Sequence, residues 1–385
     1  MNGRINLIAG AVLTLAFAGC SEDPSRVTGL LPLAPAFSAS AGGAAGNVYT
    51  MTNAIGGNVV LVFDRAEDGT LMHAGSFATA GIGSGGGLGN QGGLIISDNG
   101  RWLLTVNAGS NTITAFQING DGSIERTSTV ASGGTQPISV TISRDLVYAL
   151  NAGGSGNIVG FRLGDDGTLS TIPGSARPLS AAGVGPAQIE FDPRGRVLVV
   201  TEKGTNRITT YVVGSGGLAS APNVHVSNGA TPFGFAFSRK GVLIVSEAFG
   251  GAADASAASS YTVDENGALD LISGSVPTTE TAACWFVVTN NGRFAYTSNT
   301  GSGTISGYAV RGGSLTLLDA DGETAVIGPG TAPIDLALSR NSKYLYSLNS
   351  ANHTISAFAV GADGSLHTLA TTGSLPVSAN GLAAR

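Results

Sequence analysis

Two glutamates stand where similar segments of the same chain carry asparagine. Glu202 ends the β-branched stretch VLVVTE, whereas Asn107 ends the similar stretch LLTVN. Aligning the segments gives one such position in each, namely Asn53, Asn107, Asn151, Glu202, Glu247, Asn299 and Asn349. Asparagine has a structural explanation there, because its side chain can bond the main chain two residues on and stabilise a turn. Glutamate does not easily reproduce that geometry, so Glu202 and Glu247 are predicted catalytic carboxylates.

Seven repeats must position these residues. Each has an apolar-alternating strand with an aromatic residue near its end, then a turn of the type DGTL, and four strands fit in roughly 48 residues. The pattern predicts an all-β, seven-bladed β-propeller with four-stranded blades over residues 47–385. The C-terminal NGLAAR matches an inner-strand start, QGGLIIS, so we expect the C-terminal strand to close the first blade. The aromatics are Phe63, Phe116, Phe161, Tyr211, Tyr261, Tyr308 and Phe358.

The turns that follow these aromatics contain residues that tolerate positive φ, as two-residue hairpin turns require. They are Asp68-Gly69, Asp121-Gly122, Asp166-Gly167, Gly216-Gly217, Asn266-Gly267, Gly312-Gly313 and Asp363-Gly364. In a propeller these hairpins lie on one rim, and the seven asparagine or glutamate positions lie on the other.

Composition limits the partners of the protein. Of 385 residues only 11% are charged, the net charge is −6, and no run rich in lysine or arginine occurs. Nucleic acid is therefore not an expected partner, because its phosphates require a basic surface. The predicted ligand is a small molecule, or else a protein or glycan, and we expect a monomer.

Further polar and aromatic residues are expected on the same rim as the two glutamates. The glutamates belong to adjacent blades, so they are predicted to lie near enough to share a water molecule or a metal ion, with calcium as the candidate cation. The alternative for Glu202 is a weak surface ion pair with Lys203 or Arg207. The predicted substrate-binding residues are Asn151, Gln188, Gln136, Trp285, Asp335 and His353.

The N-terminus is typical of an exported protein. Residues 1–20, MNGRINLIAGAVLTLAFAGC, contain Arg4 and then an apolar run too short to span a bilayer comfortably. The ending FAGC resembles a bacterial lipobox, which implies lipidation of Cys20, and Ser21 after it implies outer-membrane sorting. The alternative is cleavage after AFA, which releases a soluble periplasmic protein. Residues 21–46, rich in Ser, Ala, Pro and Gly, are predicted to be a flexible tether.

The stretches GPAQIEFDPRGRVLVVTEKGTNRI and YTSNTGSGTISGY resemble the lactonase family of seven-bladed propellers, which includes bacterial 6-phosphogluconolactonase and the fungal carboxymuconate-lactonising enzyme. The resemblance covers residues 47–385. Glu202 matches the acidic residue of the family. The family's other groups are replaced: Ile138 stands in place of a histidine, Ala187 and Gln188 in place of arginine and often histidine, and Thr300 in place of an arginine.

Two functions follow from these observations. The absent groups would hold a phosphate or carboxylate or move a proton. The resemblance therefore implies a lactone hydrolase, or a related ring-opening or ring-closing activity, that acts on a neutral lactone or related small cyclic compound in the periplasm. In that hypothesis Glu202 activates water, Glu247 assists or helps to hold a cation, and Gln188 with Asn151 orients the substrate. The alternative is a non-catalytic, lipid-anchored propeller that binds a protein or glycan, with Trp285 as a stacking surface.

Overall fold

The structure is a computed structural model that describes residues 44–385. The predicted signal peptide, Cys20 and residues 21–43 of the predicted tether lie outside the described residues. Within residues 44–385, no helix is long and apolar enough to cross a bilayer.

The described residues form seven antiparallel sheets, called blades 1 to 7 below. Blade 1 contains β1 (Gly46–Met51), β2 (Val59–Arg65) and β3 (Leu71–Ala78). Blade 2 contains β4 (Leu94–Ile96), β5 (Trp102–Asn107), β6 (Thr112–Ile118) and β7 (Ile124–Ala131). Blade 3 contains β8 (Pro137–Ser143), β9 (Leu146–Asn151), β10 (Asn157–Leu163), β11 (Leu169–Thr171) and β12 (Arg177–Pro178). Blade 4 contains β13 (Pro186–Phe191), β14 (Val197–Glu202), β15 (Arg207–Val212) and β16 (Asn223–Val226).

The remaining strands complete the ring. Blade 5 contains β17 (Pro232–Phe237), β18 (Val242–Glu247), β19 (Ala257–Val263) and β20 (Leu269–Pro277), with a 3₁₀ helix, Phe249–Gly251, between β18 and β19. Blade 6 contains β21 (Ala283–Val288), β22 (Phe294–Asn299), β23 (Thr304–Arg311), β24 (Ser314–Leu317) and β25 (Ala325–Val326). Blade 7 contains β26 (Pro333–Leu338), β27 (Tyr344–Asn349), β28 (Thr354–Val360) and β29 (Leu366–Thr372), and β30 (Asn380–Ala384) follows it.

The last strand closes the ring, as the sequence predicts. β30 pairs with β1 and becomes the innermost strand of blade 1, whose order is β3-β2-β1-β30. In blades 2 to 7 the innermost strand is instead the first in the chain. The Asp335 carboxylate of blade 7 also accepts a hydrogen bond from the main-chain N–H of Leu382, at 2.9 Å. An open strand edge is thereby removed.

The hairpins differ from the predicted two-residue turns in six of the seven blades. In blade 1, the N–H of Gly69 bonds the carbonyl of Ala66 at 3.1 Å, and the N–H of Ala66 bonds the carbonyl of Thr70 at 2.9 Å. Only the glycine has a positive φ, +90°. This is a type I turn followed by a glycine bulge, which needs positive φ at a single residue. Blade 6 has the two-residue turn, with Gly312 and Gly313 both at positive φ.

Each turn glycine also joins its blade to the preceding one. Its carbonyl accepts a hydrogen bond from a buried or half-buried hydroxyl of the blade before it, over 2.6 to 2.9 Å. Burial raises the pKa of Tyr49, one of these donors, to about 12, so its phenol stays a donor at ordinary pH. The seven pairs are Tyr346–Gly69, Tyr49–Gly122, Thr127–Gly167, Tyr148–Gly217, Thr210–Gly267, Ser260–Gly313 and Tyr296–Gly364.

The blades define two rims. The upper rim carries the loops between blades and the turns between second and third strands. The lower rim carries the turns after the innermost strands and the glycine hairpins. The seven aromatics that mark the repeats are buried between these rims, each 4% exposed or less.

Deleting residues 376–385 removes β30 and is expected to destabilise the whole ring, because β1 loses its inner neighbour and Asp335 loses the Leu382 N–H. Thermal unfolding followed by circular dichroism tests this. A deletion variant that melts at the temperature of the full chain would contradict it.

Candidate functional site

The upper-rim positions correspond to the predicted set, except in blade 1. Val106 pairs with Ile113, so Asn107 lies one step beyond that pair. Met51 pairs with Val60 in the same way, which makes Thr52 the counterpart of Asn107. The expectation that Asn53 is equivalent is therefore wrong by one residue, because the turn of blade 1 is longer.

Glu202 lies at its predicted rim position but is completely buried. Its Oε1 accepts hydrogen bonds from the Ser180 N–H and the Thr209 hydroxyl, both at 3.0 Å. Its Oε2 accepts hydrogen bonds from the hydroxyls of Ser180 and Thr205. Within the described chain, neither Lys203 nor Arg207 forms an ion pair with it. The carboxylate is therefore saturated by neutral donors of its own blade and of the loop that precedes it.

Glu247 repeats this arrangement one blade on. It is also completely buried, and it accepts hydrogen bonds from the Gly229 N–H at 2.8 Å and from the hydroxyls of Ser259 and Ser275. Burial raises its pKa, while these three donors lower it. Gly229 belongs to the loop that enters blade 5, so this carboxylate also ties its blade to the loop before it.

At the equivalent rim positions of blades 2, 6 and 7, the asparagine side chains donate hydrogen bonds where the glutamates accept them. The amide of Asn299 donates to the hydroxyls of Thr304 and Ser306, at 2.9 and 2.8 Å, and Asn107 and Asn349 make the matching pairs of bonds. These bonds cross to the third strand rather than to the main chain two residues on. Amide and carboxylate are thus two solutions to one packing problem, since a hydroxyl can accept from the amide or donate to the carboxylate.

The two glutamates are not brought into one site. They share no hydrogen-bond partner in the structure. Across residues 44–385, no group of three or more His, Cys, Asp and Glu side chains is placed to hold a metal ion. The calcium ion therefore stays a prediction.

Most of the other predicted substrate-binding residues are buried in the fold. Trp285 is 1% exposed and its indole N–H donates to the Asn90 carbonyl at 2.7 Å, so its ring is not a stacking surface. Asn151 and Asp335 are also buried, and burial raises the pKa of Asp335 well above its ordinary value. Gln136 is exposed and His353 half-buried on the upper rim, where each has positive φ.

A segment of the loop between blades 1 and 2, residues 88–91, closes the upper end of the channel. We call it the plug segment. The Gly89 carbonyl accepts a bond from Lys203 Nζ at 2.6 Å, and Asn90 donates to the carbonyl of Ile138. Burial lowers the pKa of Lys203 to about 8. The sequence predicts only an inter-blade loop here.

Gln91 of the plug segment reaches across the channel to blades 4 and 6. Its N–H bonds the Ala187 carbonyl at 3.1 Å, and its side chain makes two bonds to the main chain of Phe286, at 2.7 and 3.0 Å. A Cβ on Gly234 would lie 2.1 Å from Gln91 Oε1 and only 2.5 Å from the main-chain carbonyl oxygen of Cys284, so the close approach requires glycine there. The plug segment bonds Ile138 and Ala187, two of the positions where the lactonase pattern has its histidine and arginine.

Below the plug segment lies a central cavity of about 1270 Å³. Its lining includes Gln91, Gln188 and Asp335 at the upper end and the exposed residues Asp98 and Arg340 at the lower rim. It therefore opens at the lower rim, opposite the rim that the sequence indicates.

Glu190 is an ionisable group of the cavity wall that is not among the residues predicted from the sequence. It lies on β13, two residues after Gln188, and is half-buried. Gln188 Nε2 donates to its Oε2 at 2.9 Å. Burial, together with the negative charge of Asp98, raises the pKa of Glu190 to about 8. No sequence motif marks it, because its environment is assembled from three blades.

A model of the family described as Lactonase, 7-bladed beta-propeller, matches residues 56–177 and 88–380. The chain belongs to this family. The predicted fold and family resemblance are both confirmed. No curated protein matches the chain.

Solved structures share the lactonase-family fold at low identity. A periplasmic gluconolactonase of Pseudomonas aeruginosa is 16% identical, with TM-score 0.69, over 88% of this chain and 98% of that one. A putative 6-phosphogluconolactonase of Bacteroides fragilis is 17% identical, with TM-score 0.66, over 88% and 98%. A protein from Lactobacillus plantarum is 20% identical, with TM-score 0.69, over 88% and 99%. These likenesses show the shared fold.

Replacing Glu202 by alanine is expected to lower the free energy of unfolding by about 2–4 kcal/mol, because buried donors of Ser180 and Thr209 lose their acceptor. Urea unfolding measures this change. Gln136→Ala, at an exposed position of the same rim, is the control and should stay within about 0.5 kcal/mol of the wild type. Equal stability of both variants would show that Glu202 is not a structural acceptor.

Proposed function

We propose that this lactonase-family protein hydrolyses a neutral lactone, bound in the central cavity, in the periplasm. The observation that carries the proposal is the cavity, which is closed above by the plug segment and open at the lower rim. Its volume of about 1270 Å³ exceeds the usual range for small-molecule sites, so a small cyclic ester fits with room for water.

The chemistry of the cavity wall supports a neutral substrate. The innermost strands contribute apolar, hydroxyl and amide side chains with the carboxyl groups of Glu190 and Asp335, and no lysine or arginine of these strands lines the cavity. Phosphate and carboxylate groups are normally held by such cations. Four arginines line the cavity from outside these strands: Arg65 on β2, Arg385 directly after β30, and Arg239 and Arg340 in turns of the lower rim.

The reaction takes place in the cavity and not at Glu202 and Glu247. Both carboxylates are inaccessible, and every oxygen of each accepts at least one hydrogen bond from a neighbour. A general base needs to reach the water molecule that it activates. A base on the cavity wall meets this requirement.

The purified protein is expected to open at least one member of a panel of neutral lactones. Ala236→Phe, which adds a ring at the cavity wall, should lower kcat/KM by at least about tenfold, because the substrate loses space. Ile55→Ser, at a 60% exposed position of the upper rim, is the control and should leave kcat/KM unchanged.

The calcium prediction is tested in the same assay. If a calcium ion takes part, chelation should lower kcat/KM and added calcium should restore it; an unchanged kcat/KM after chelation would contradict the prediction.

A second candidate function is supported by the upper rim. Closed by the plug segment, this rim exposes the apolar side chains Ile55, Ile82 and Val377, at 60, 43 and 61%. Such a surface suits a non-catalytic propeller that holds a protein or glycan partner. Absence of turnover by the wild type on every lactone would favour this binding function over hydrolysis.

We also propose that the protein is exported and anchored to the outer membrane through a lipidated Cys20. The support is the signal-like residues 1–20 and the lipobox-like FAGC. Cys20→Ser is expected to move the protein from the membrane fraction to the soluble fraction and to abolish labelling by a radioactive fatty acid. A wild-type protein that takes up no label would contradict lipidation and favour cleavage after AFA.

A further inference from the structure

We propose that Glu190 is the general base of this protein and that Gln188 positions it. The inference rests on the proposed lactone hydrolysis and deepens it by assigning the reacting carboxylate. It also moves the chemistry to an innermost strand of blade 4, away from the rim glutamates.

The geometry around Glu190 is held by a side-chain clamp. Gln188 Oε1 accepts from the Phe235 N–H at 2.7 Å, and Gln188 Nε2 donates to the Phe235 carbonyl at 2.9 Å. The same nitrogen donates to Glu190 Oε2 at 2.9 Å. Because the amide is held by the main chain of blade 5, it fixes one carboxylate oxygen while the half-buried side chain lines the cavity. Positioning of this kind is what a base requires.

The neighbouring blade shows that a carboxylate is not required there for packing. Thr141 is the blade 3 counterpart of Glu190, and its hydroxyl accepts a bond from the Phe191 N–H at 3.1 Å. The main-chain N–H of Phe237 acts on Glu190 from the corresponding place and lowers its pKa. A short hydroxyl side chain can therefore accept the hydrogen bond from the next blade at this position, whereas burying a carboxylate there costs desolvation free energy.

Charged side chains from several elements line the cavity together with Glu190: the acidic groups are Asp98, Asp192 and Asp335, and the basic groups are Arg65, Arg239, Arg340 and Arg385. Asp98, in the turn after β4, is a like charge that disfavours ionisation, and burial acts in the same direction. Arg239, in the turn after β17, lines the cavity mouth and is exposed. The resulting pKa of about 8 lies close to the working range of a general base at neutral pH.

The proposed step balances as a hydrolysis. A water molecule in the cavity attacks the lactone carbonyl carbon, and the Glu190 carboxylate takes one proton from it. The ring C–O bond then breaks, and the alkoxide that leaves takes this proton back from Glu190. The product is a hydroxy acid, and the carboxylate is regenerated without any redox partner.

Glu190→Gln keeps the size of the side chain and removes the base. It is expected to lower kcat by about 100-fold or more on the lactone that the wild type opens. Glu125→Gln, on the exposed outer strand β7, is the matched control and should keep wild-type kcat. In the wild type, kcat should rise with pH through about 8, since the ionised form is the active one. Asp98→Asn removes the like charge and should shift this rise to lower pH.

A second measurement does not depend on turnover. The pKa of Glu190 lies above its ordinary 4.5, so the folded protein holds this proton more tightly than the unfolded chain. The stabilisation is complete below pH 4.5 and is lost as the pH rises to about 8. Urea unfolding across this window should show that loss in the wild type and a flatter profile in Glu190→Gln.

The results separate the two proposals. An active wild type together with an equally active Glu190→Gln variant overturns the role of Glu190 and leaves lactone hydrolysis standing. A wild type inactive on all lactones overturns both as catalytic proposals. If the unfolding profiles of wild type and Glu190→Gln also coincide, the unusual protonation of Glu190 is refuted independently of any substrate.

Discussion

At every blade boundary a hydroxyl group of one blade donates a hydrogen bond to the carbonyl of a turn glycine in the next blade. The contact occurs seven times, once at every blade boundary including the one between blades 7 and 1. It constrains the turn, because the glycine must take a positive φ to end the hairpin. It also constrains the preceding blade, which has to supply a hydroxyl at that depth.

The upper rim obeys a second, similar constraint. In blades 2, 4, 5, 6 and 7 a polar side chain at the end of the second strand bonds at least one hydroxyl of the third strand, and in blades 4 and 5 it also bonds a group of the preceding inter-blade loop. Asn299 does this as a donor, and Glu202 and Glu247 do it as acceptors. A fully buried carboxylate that receives several neutral hydrogen bonds is compatible with the fold. Its presence in two adjacent blades therefore reflects the donors around it.

The plug segment separates the two faces of the ring. It contacts Ile138 and Ala187, which stand where the lactonase pattern has histidine and arginine. The main-chain carbonyls of these two residues accept hydrogen bonds from the Asn90 side chain and the Gln91 N–H. The cavity becomes one-ended, so a ligand must enter through the lower rim. Glu190, clamped by Gln188, is the half-buried carboxyl group of the innermost strands that lines this cavity, whereas Asp335 is buried. Because the plug segment closes the upper rim, a ligand that enters from the lower rim meets the cavity wall on which Glu190 lies.

The sequence by itself determined the architecture. The repeated aromatics, the glycine turns and the match between NGLAAR and QGGLIIS depend on local φ and on period-two patterning, which single segments encode. It also located the upper rim to within one residue, with Thr52 in place of Asn53. Only the tertiary structure decided the site. Burial of Glu202, the reach of Gln91 across the channel and the raised pKa of Glu190 all arise from residues far apart in the chain. Their desolvation and hydrogen bonding exist only once several blades meet.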